Sequence, residues 1–481
     1  MNKIIEIIKK KWLKDTFLTI LLIAIIFAVY YLMNFGVEKL NIENLDLTTD
    51  KMYSITETTR TKLKDLNKEV KILLINFSDK TKVVDYCKKY TQLSSKIKVE
   101  EIADLSERAD IMQEYKLQST DSLILVESEG RKTELAEYDL TTYDYTTYDE
   151  IDITEEAITN AIIEVTIEEK PKIYFLAGHN QYNDQYFMLL REELEAEANE
   201  IGDINILTAG SISEDCKCLI ITTLKEDITE MEKDKILEYS NNGGKILLLT
   251  DANLLGIETP NFNAVLDAYG FSISKGIVME QDTERMVYNS PEFVIAPVES
   301  VINQNINMNM NICVIDSGNI EFKDEETLSN LGVTYTPIAV TSDTSFLRTN
   351  LNIVSGAKTN QDEDAPNSIV GALVTRDLEN EKTAEMIVYS NTVFATNQQI
   401  NMGNGYGIYA NKLFNNDDVT INSVSYLTQR KDTITIRKNS DTVSYTVTDA
   451  QHTTIMAILF SVPAIIIIVG IIVWQIRRRK K

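Results

Sequence analysis

Cysteine and histidine are scarce in this 481-residue chain, and that scarcity closes off several chemistries at once. The four cysteines are Cys87, Cys216, Cys218 and Cys313, too few for a disulfide-stapled ectodomain. No Cys-x-x-Cys is present, so a thioredoxin-like redox centre is not expected. The one close pair, Cys216-x-Cys218, opens an apolar strand. Its two thiols are expected on one face, with no second pair to complete a metal site. Only His179 and His452 exist, which excludes a histidine-rich metal centre. No Walker A pattern occurs, so P-loop ATP hydrolysis is excluded. Gly403-Asn-Gly-Tyr-Gly407 is rich in glycine but lacks both a preceding strand and the Lys-Ser/Thr of a phosphate loop. Ser272-x-x-Lys275 stands without the Lys-Thr-Gly or Ser-Asp-Asn that a penicillin-type site needs. No basic patch is present to neutralise phosphates, which argues against nucleic acid as a partner.

What the chain has in abundance is acidity and two long uncharged runs. Its formal net charge is −26. Between Asp15 and Glu38 no charge falls, and none between Asp449 and Arg477. Each run is long enough to cross ~30 Å of hydrocarbon as a helix. Spans are therefore expected over 16–36 and 453–476, the second containing Pro463, which membrane helices tolerate. Lys3, Lys9, Lys10, Lys11 and Lys14 outnumber Glu6 and Asp15 before the first span. Arg477-Arg-Arg-Lys-Lys481 follows the second. Basic flanks stay cytoplasmic, so both termini are expected inside and the bulk of the chain outside the cell membrane. With flanks of about +3 and +5, the intervening segment carries about −34. A cleaved signal peptide is disfavoured, because Tyr30-Tyr-Leu-Met-Asn-Phe35 offers no small-x-small site. Ile4, Ile5, Ile7, Ile8 and Trp12 give residues 1–15 an apolar face opposite lysines, as in a helix lying in the cytoplasmic interface.

At 44% hydrophobic residues the middle can build cores of its own and is long enough for two or three domains. An α/β architecture is expected throughout. A small α/β domain is read over 45–137. Its helix opens at Ser54-Ile-Thr-Glu57 and it has strands at Val70–Phe77, Ile97–Ile102 and Ser122–Glu127. Residues 138–153 form an acidic, Tyr-rich connector. A calcium or carbohydrate contact there lacks the turn glycine and ligand spacing that calcium requires. From 154 to 424 a doubly wound, flavodoxin-like parallel sheet with insertions is expected. It has strands at Lys172, Ile204–Leu207, Leu219–Thr223 and Lys245, and helices Tyr186–Ala198 and Thr229–Asn241. Asn303–Asn311 alternates as a half-buried strand would, and 360–367 reads as a solvated loop. Residues 425–449 read as a membrane-proximal hairpin built on Ile434–Arg437 and Val443–Val447, and 477–481 as a basic cytoplasmic tail.

In a doubly wound sheet the ligand crevice opens at the carboxyl ends of the strands. Those ends carry Gly178, His179, Asn180 and Gln181, then Thr222 with Thr223, then Asp251. His179 could act there as acid, base or ligand. The alternative is that it caps the following helix or hydrogen-bonds within a partner-binding crevice. Cys216 and Cys218 begin a strand and so are badly placed for a nucleophile elbow.

Several segments in order resemble the GldG-like auxiliary component of ABC-type transport systems, known from gliding motility. They are Leu45–Thr56, Thr154–Ile162 with Lys172–His179, Gly243–Asp251 with Pro260–Gly270, and Ser425–Thr428 with Ile434–Arg437. The final span with Trp474 and Arg477–Arg479 closes the series. The resemblance implies an extracytoplasmic α/β protein working beside a separate permease and ATPase. No cofactor is expected. The family often has Gly-His-Gly-Glu where this chain has Gly178-His-Asn-Gln181, which shifts the expectation toward binding or scaffolding. The reading is a non-catalytic, membrane-anchored auxiliary subunit that binds or organises an extracytoplasmic partner. A membrane-tethered hydrolase or glycan-binding protein using the His179 crevice is the alternative.

Overall fold

The computed structural model describes residues 55–428, apart from 65, 78–80, 144–149, 180, 183, 255, 300–301, 303–309, 379–381 and 402–406. The chain divides into two compact units, 1–438 and 439–481, and every described residue belongs to the first. Among the described residues no helix is long and apolar enough to cross a membrane. Both apolar runs, the interfacial segment, the Asn303–Asn311 alternation (but for its last residues) and the Ile434–Val447 hairpin lie outside them.

The first sheet is four-stranded. Strand β1 (Val70–Ile75) pairs in parallel with β2 (Ile97–Ile102) and antiparallel with β3 (Leu123–Ser128), which forms a hairpin with β4 (Arg131–Leu135). Alternate side chains of β1 go to opposite faces, as a strand's two-residue period dictates. Ile72 and Leu74 join one core with α2 (Thr81–Leu93), while Leu73 and Ile75 join another with α3 (Ala109–Tyr115). The sequence pattern groups residues 154–167 with the doubly wound sheet downstream. In the structure α4 (Thr154–Thr166) packs Ile158, Ala161 and Ile162 into the first core, so this helix belongs to the first sheet. Glu155 in its first turn ties it to α1 (Glu57–Leu63). One carboxylate oxygen accepts from the Thr56 amide (2.8 Å) and from the Thr56 and Thr59 hydroxyls. The other accepts from the Tyr86 hydroxyl. The Tyr-rich connector folds in part as a hairpin, Thr141–Tyr143 against Glu150–Asp152.

The second sheet carries seven strands. They are β5 (Lys172–Leu176), β6 (Glu200–Ile204), β7 (Cys216–Thr222) and β8 (Lys245–Leu249), then, after a β-rich insertion containing β9 (Ser290–Pro297) and β10 (Asn311–Ile315), β11 (Val333–Val340), β12 (Ile369–Asp377) and β13 (Thr383–Tyr389). Their order is β11-β12-β13-β8-β7-β5-β6. Pairings from β6 through β13 are parallel, and β12 and β11 add antiparallel. The parallel part thus runs in the flavodoxin-like 2-1-3-4-5 order, with its switch point between β5 and β7. Helix α5 (Met188–Ala196) lies on one face with α8 (Asn416–Leu427), and α6 (Glu230–Asn241) lies on the other with α7 (Pro260–Ala268). Leu247 and Leu249 face the first layer and Ile246 and Leu248 the second, each essentially buried. Such a residue contributes about 1.5–3 kcal/mol.

Three expectations change. The Cys216 and Cys218 thiols do not share a face. Lys172 pairs with Cys216 and Ile173 with Cys218, so a bulge at Lys217 rotates the strand by one residue. Cys218 joins the core with Ile220, whereas Cys216 joins the opposite core with Leu219 and approaches the Tyr239 hydroxyl. The strand placed at Ile204–Leu207 ends at Ile204 and is followed by a helical turn, Ile206–Ala209. The 360–367 loop is not uniformly solvated. The Asp362 side chain is fully buried against Arg348, with Nε and Nη2 donating to its two oxygens at 3.0 and 2.9 Å.

Candidate functional site

The residues singled out from the sequence sit in the loops after β5, β7 and β8, where a doubly wound sheet presents its crevice. Gly178 is at φ +113°, and a Cβ there would stand 2.6 Å from the Asn205 amide nitrogen. Glycine therefore permits both the turn and the close approach. The turn is braced by Gln181, whose Oε1 accepts from the His179 amide (2.8 Å) and whose Nε2 donates to the Leu176 carbonyl. Asn180 lies outside the described residues.

His179 is directed into the protein. Its Nε2 is 3.0 Å from Glu232 Oε1, and both side chains are buried, Glu232 completely. Glu232 is the third residue of α6 and closes a capping box. Its Oε2 accepts from the Thr229 amide and hydroxyl, both at 2.8 Å, while the Thr229 hydroxyl accepts from the Glu232 amide. A carboxylate at a helix N-terminus is also favoured by the helix dipole. The His179 carbonyl accepts from the Lys225 amide (3.1 Å), which fastens the β5 loop to the β7 loop. His179 thus locks its loop onto the start of α6, and it does not cap α5, the helix that follows it in the chain.

Asp251 anchors a second network. Its Oδ1 accepts from the Thr392 amide (2.6 Å) and the Asn391 side chain (3.4 Å). Its Oδ2 accepts from the hydroxyls of Thr223 (2.9 Å) and Tyr182 (3.1 Å). The Asp251 amide donates back to the Thr223 hydroxyl, and the Thr392 hydroxyl donates to the Leu249 carbonyl. Four chain segments meet on this one carboxyl group. Burial pushes its pKa up, opposed by the hydrogen bonds from Thr392, Thr223 and Tyr182 and by the charge of Lys225. The Lys225 ammonium stands 5.3 Å over the Tyr182 ring.

The sequence pair Thr222-Thr223 therefore divides. Thr222 is a buried strand residue, and Thr223 is the one that reaches Asp251. Asn391 and Thr392, at the end of β13, and Tyr182 and Glu232 were not anticipated. For Glu232 a signal existed, because Thr229-x-x-Glu232 is a capping-box pattern. Among the described residues no hydrogen bond joins His179 to Asp251, so the two groups form separate networks. Also among the described residues, no cluster of three or more His, Cys, Asp or Glu side chains could hold a metal ion.

No curated protein matches the chain. Similar solved structures include the mmIFT52 N-terminal domain, at 14% identity and a TM-score of 0.39, covering 53% of this chain and 97% of that one. Another is an exo-β-1,4-mannosidase from Opitutaceae bacterium strain TAV5, at 10% identity and a TM-score of 0.26, covering 50% of this chain and 35% of that one. A family model described as "ABC-type uncharacterized transport system" matches residues 170–423, more than half of the chain and nearly the whole second sheet with its insertion. The protein belongs to this family of auxiliary components of ABC-type transport systems.

Proposed function

We propose that the protein is a non-catalytic subunit of an ABC-type transporter, anchored in the cell membrane by a span at each end. Both termini are cytoplasmic and residues 35–452 extracytoplasmic. Permease and ATPase are separate chains, and the acidic ectodomain binds or organises an extracytoplasmic partner or substrate. The observation that carries the non-catalytic part is the state of the crevice. Glu232 holds His179, and Asp251 accepts from four donors of its own chain. These contacts hold loops together, and the His179–Glu232 pair is buried away from a substrate. Family membership supports the transporter part. The uncharged runs and their basic flanks support the topology.

The test is purification from native membranes through a C-terminal tag, with protease protection of the tag in sealed cells. Recovery of an ABC ATPase and a multi-span permease, with the tag protected, is the expected result. Recovery of the chain alone, or a tag digested from outside, contradicts the reading.

A further inference from the structure

The two sheets keep separate cores. Among the described residues, the main core of the first sheet draws its buried apolar side chains from residues 55–165, with one exception, Ala198. The two cores that flank the second sheet begin at Ile173 and take no side chain from before it. The halves are joined in sequence by residues 167–171, of which 168–170 are exposed.

Ala198 ends helix α5 at a position that normally belongs to glycine. The Ala198 amide donates to the Glu195 carbonyl (2.9 Å), and the Asn199 amide to the Leu194 carbonyl (3.2 Å). These are the two bonds of a Schellman stop, whose left-handed residue is usually glycine. Ala198 takes that place at φ 56° and bears the steric cost of a Cβ. Its methyl group is what glycine lacks. Ala198 is 1% exposed, and it sits in the core of the other half.

Glu197 forms the polar side of the same joint. Its carboxylate pairs with Lys62 of α1 at 3.6 Å, where the Lys62 and Glu197 side chains are 1% and 4% exposed. Asn160 of α4 donates to Glu197 at 3.5 Å. These groups are deeply buried and poorly bonded. Among the described residues Lys62 Nζ has no hydrogen-bond acceptor and Asn160 Oδ1 no donor. Burying charges in this way returns little net stability, and well-packed apolar side chains in the same place would hold more firmly. The joint is therefore weaker than either core it connects.

We infer that Ala198 and the Lys62–Glu197 pair form a releasable latch between two separately folded halves, so that this region passes between a closed and an open arrangement about the 167–171 link. The inference rests on the proposed function. There the first half follows one span and the second half leads to the other, so movement of the spans within the transporter acts on this joint. A buried ion pair suits that use. It selects one closed register, and water solvates both charges once the joint opens.

The experiment uses the purified full chain in detergent. It does not depend on partner recovery, so its failure leaves the functional reading standing. Spin labels at Asp85→Cys and Met231→Cys, one exposed site in each half, report the distance between the halves, and the native cysteines are all buried. The parent chain is expected to show a main distance and a minor longer one. Ala198→Gly relieves the backbone of α5 and removes the methyl group. It is expected to raise the open-to-closed ratio about fourfold without lowering the thermal midpoint. Glu197→Gln leaves Lys62 buried without a counter-charge and is expected to raise the ratio about tenfold or more. Lys62→Met with Glu197→Leu replaces the pair by apolar side chains and is expected to remove the longer distance. Unchanged distances in both Ala198→Gly and Glu197→Gln overturn the inference. So does a Glu197→Gln chain that loses stability in a single melt with no second distance, because the pair would then belong to one folding unit.

Discussion

Asp251 offers a substitution pair that separates a structural carboxylate from a functional one. In Asp251→Ala the Thr392 amide loses its acceptor at 2.6 Å, and the Thr223 and Tyr182 hydroxyls lose theirs at 2.9 and 3.1 Å. A buried amide left without a partner costs about 1–3 kcal/mol, and each lost hydroxyl bond about 0.5–1.5. The sum is about 4 kcal/mol, or a drop of roughly 8–16 °C in midpoint for a domain of this size. Asp251→Asn behaves differently. The amide oxygen can still accept from Thr392. The amide nitrogen can donate to the two hydroxyls, which rotate from donor to acceptor. Its cost is about 1 kcal/mol or less. The pH dependence comes from the raised carboxyl pKa. The folded state holds this proton more tightly than the unfolded chain. That stabilisation is fully present below the unfolded pKa and is lost as pH rises through the folded one. Asp251→Asn lacks this slope. The assay is urea denaturation across pH 3–8, monitored by far-ultraviolet circular dichroism and paired with partner recovery. If Asn is as damaging as Ala, or if Asn abolishes partner recovery with the fold intact, the structural account of Asp251 is refuted.

Glu232→Ala removes the side-chain half of the α6 capping box and strands His179, for an expected loss of about 2–4 kcal/mol; His179→Ala costs less, because Thr229 still holds Oε2 of Glu232 and only Oε1 loses its partner. Equal losses in thermal melts would break the capping argument. Arg348→Met leaves Asp362 buried without its cation and costs about 3–5 kcal/mol. Arg348 holds the Asp362 carboxyl at about 2, so the stability from this pair is present above the unfolded pKa and lost as pH falls through about 2. Arg348→Met flattens acid unfolding in that window, and an unchanged acid limb would count against the clamp. All four cysteines are buried and free. Burial pushes Cys87 and Cys313 up to about 12 and Cys216 up to about 11, and raises Cys218 as well. Native protein at pH 8 is expected to resist alkylation and to react at four sites once unfolded, as counted by intact mass.

The second sheet was legible because its parallel strands are short apolar runs. Ile246–Leu249 and Leu219–Ile221 are buried on both faces, as parallel strands between helix layers must be. Turn chemistry was legible too, since Gly243 takes the left-handed stop after α6 that Asn242-Gly-Gly announces. What escaped was whatever depends on register or on distant partners. The bulge at Lys217 leaves no mark in a strand whose two faces are both apolar, so the separation of Cys216 from Cys218 could not be foreseen. Asp362 lies in an acidic, hydrophilic stretch and is nonetheless buried, because Arg348 meets it from 14 residues away. Asp251 sits at the expected edge of the sheet. Its partners Asn391 and Thr392 arrive only after a long insertion returns the chain to the sheet through β13. Helix α4 reads from sequence as part of the second sheet because its apolar face fits either one. The hydrogen bonds from Thr56, Thr59 and Tyr86 to Glu155 decide the matter in favour of the first.

The central claim is that the chain works inside a transporter and does no chemistry at its crevice. The most direct measurement is tagged purification of the wild type and of a His179→Ala, Asp251→Asn double variant from native membranes, with the bound proteins identified by mass spectrometry. The account predicts an ABC ATPase and a permease in near-stoichiometric amounts with both chains. A wild type that emerges alone, or a folded double variant that loses its partners, would contradict it.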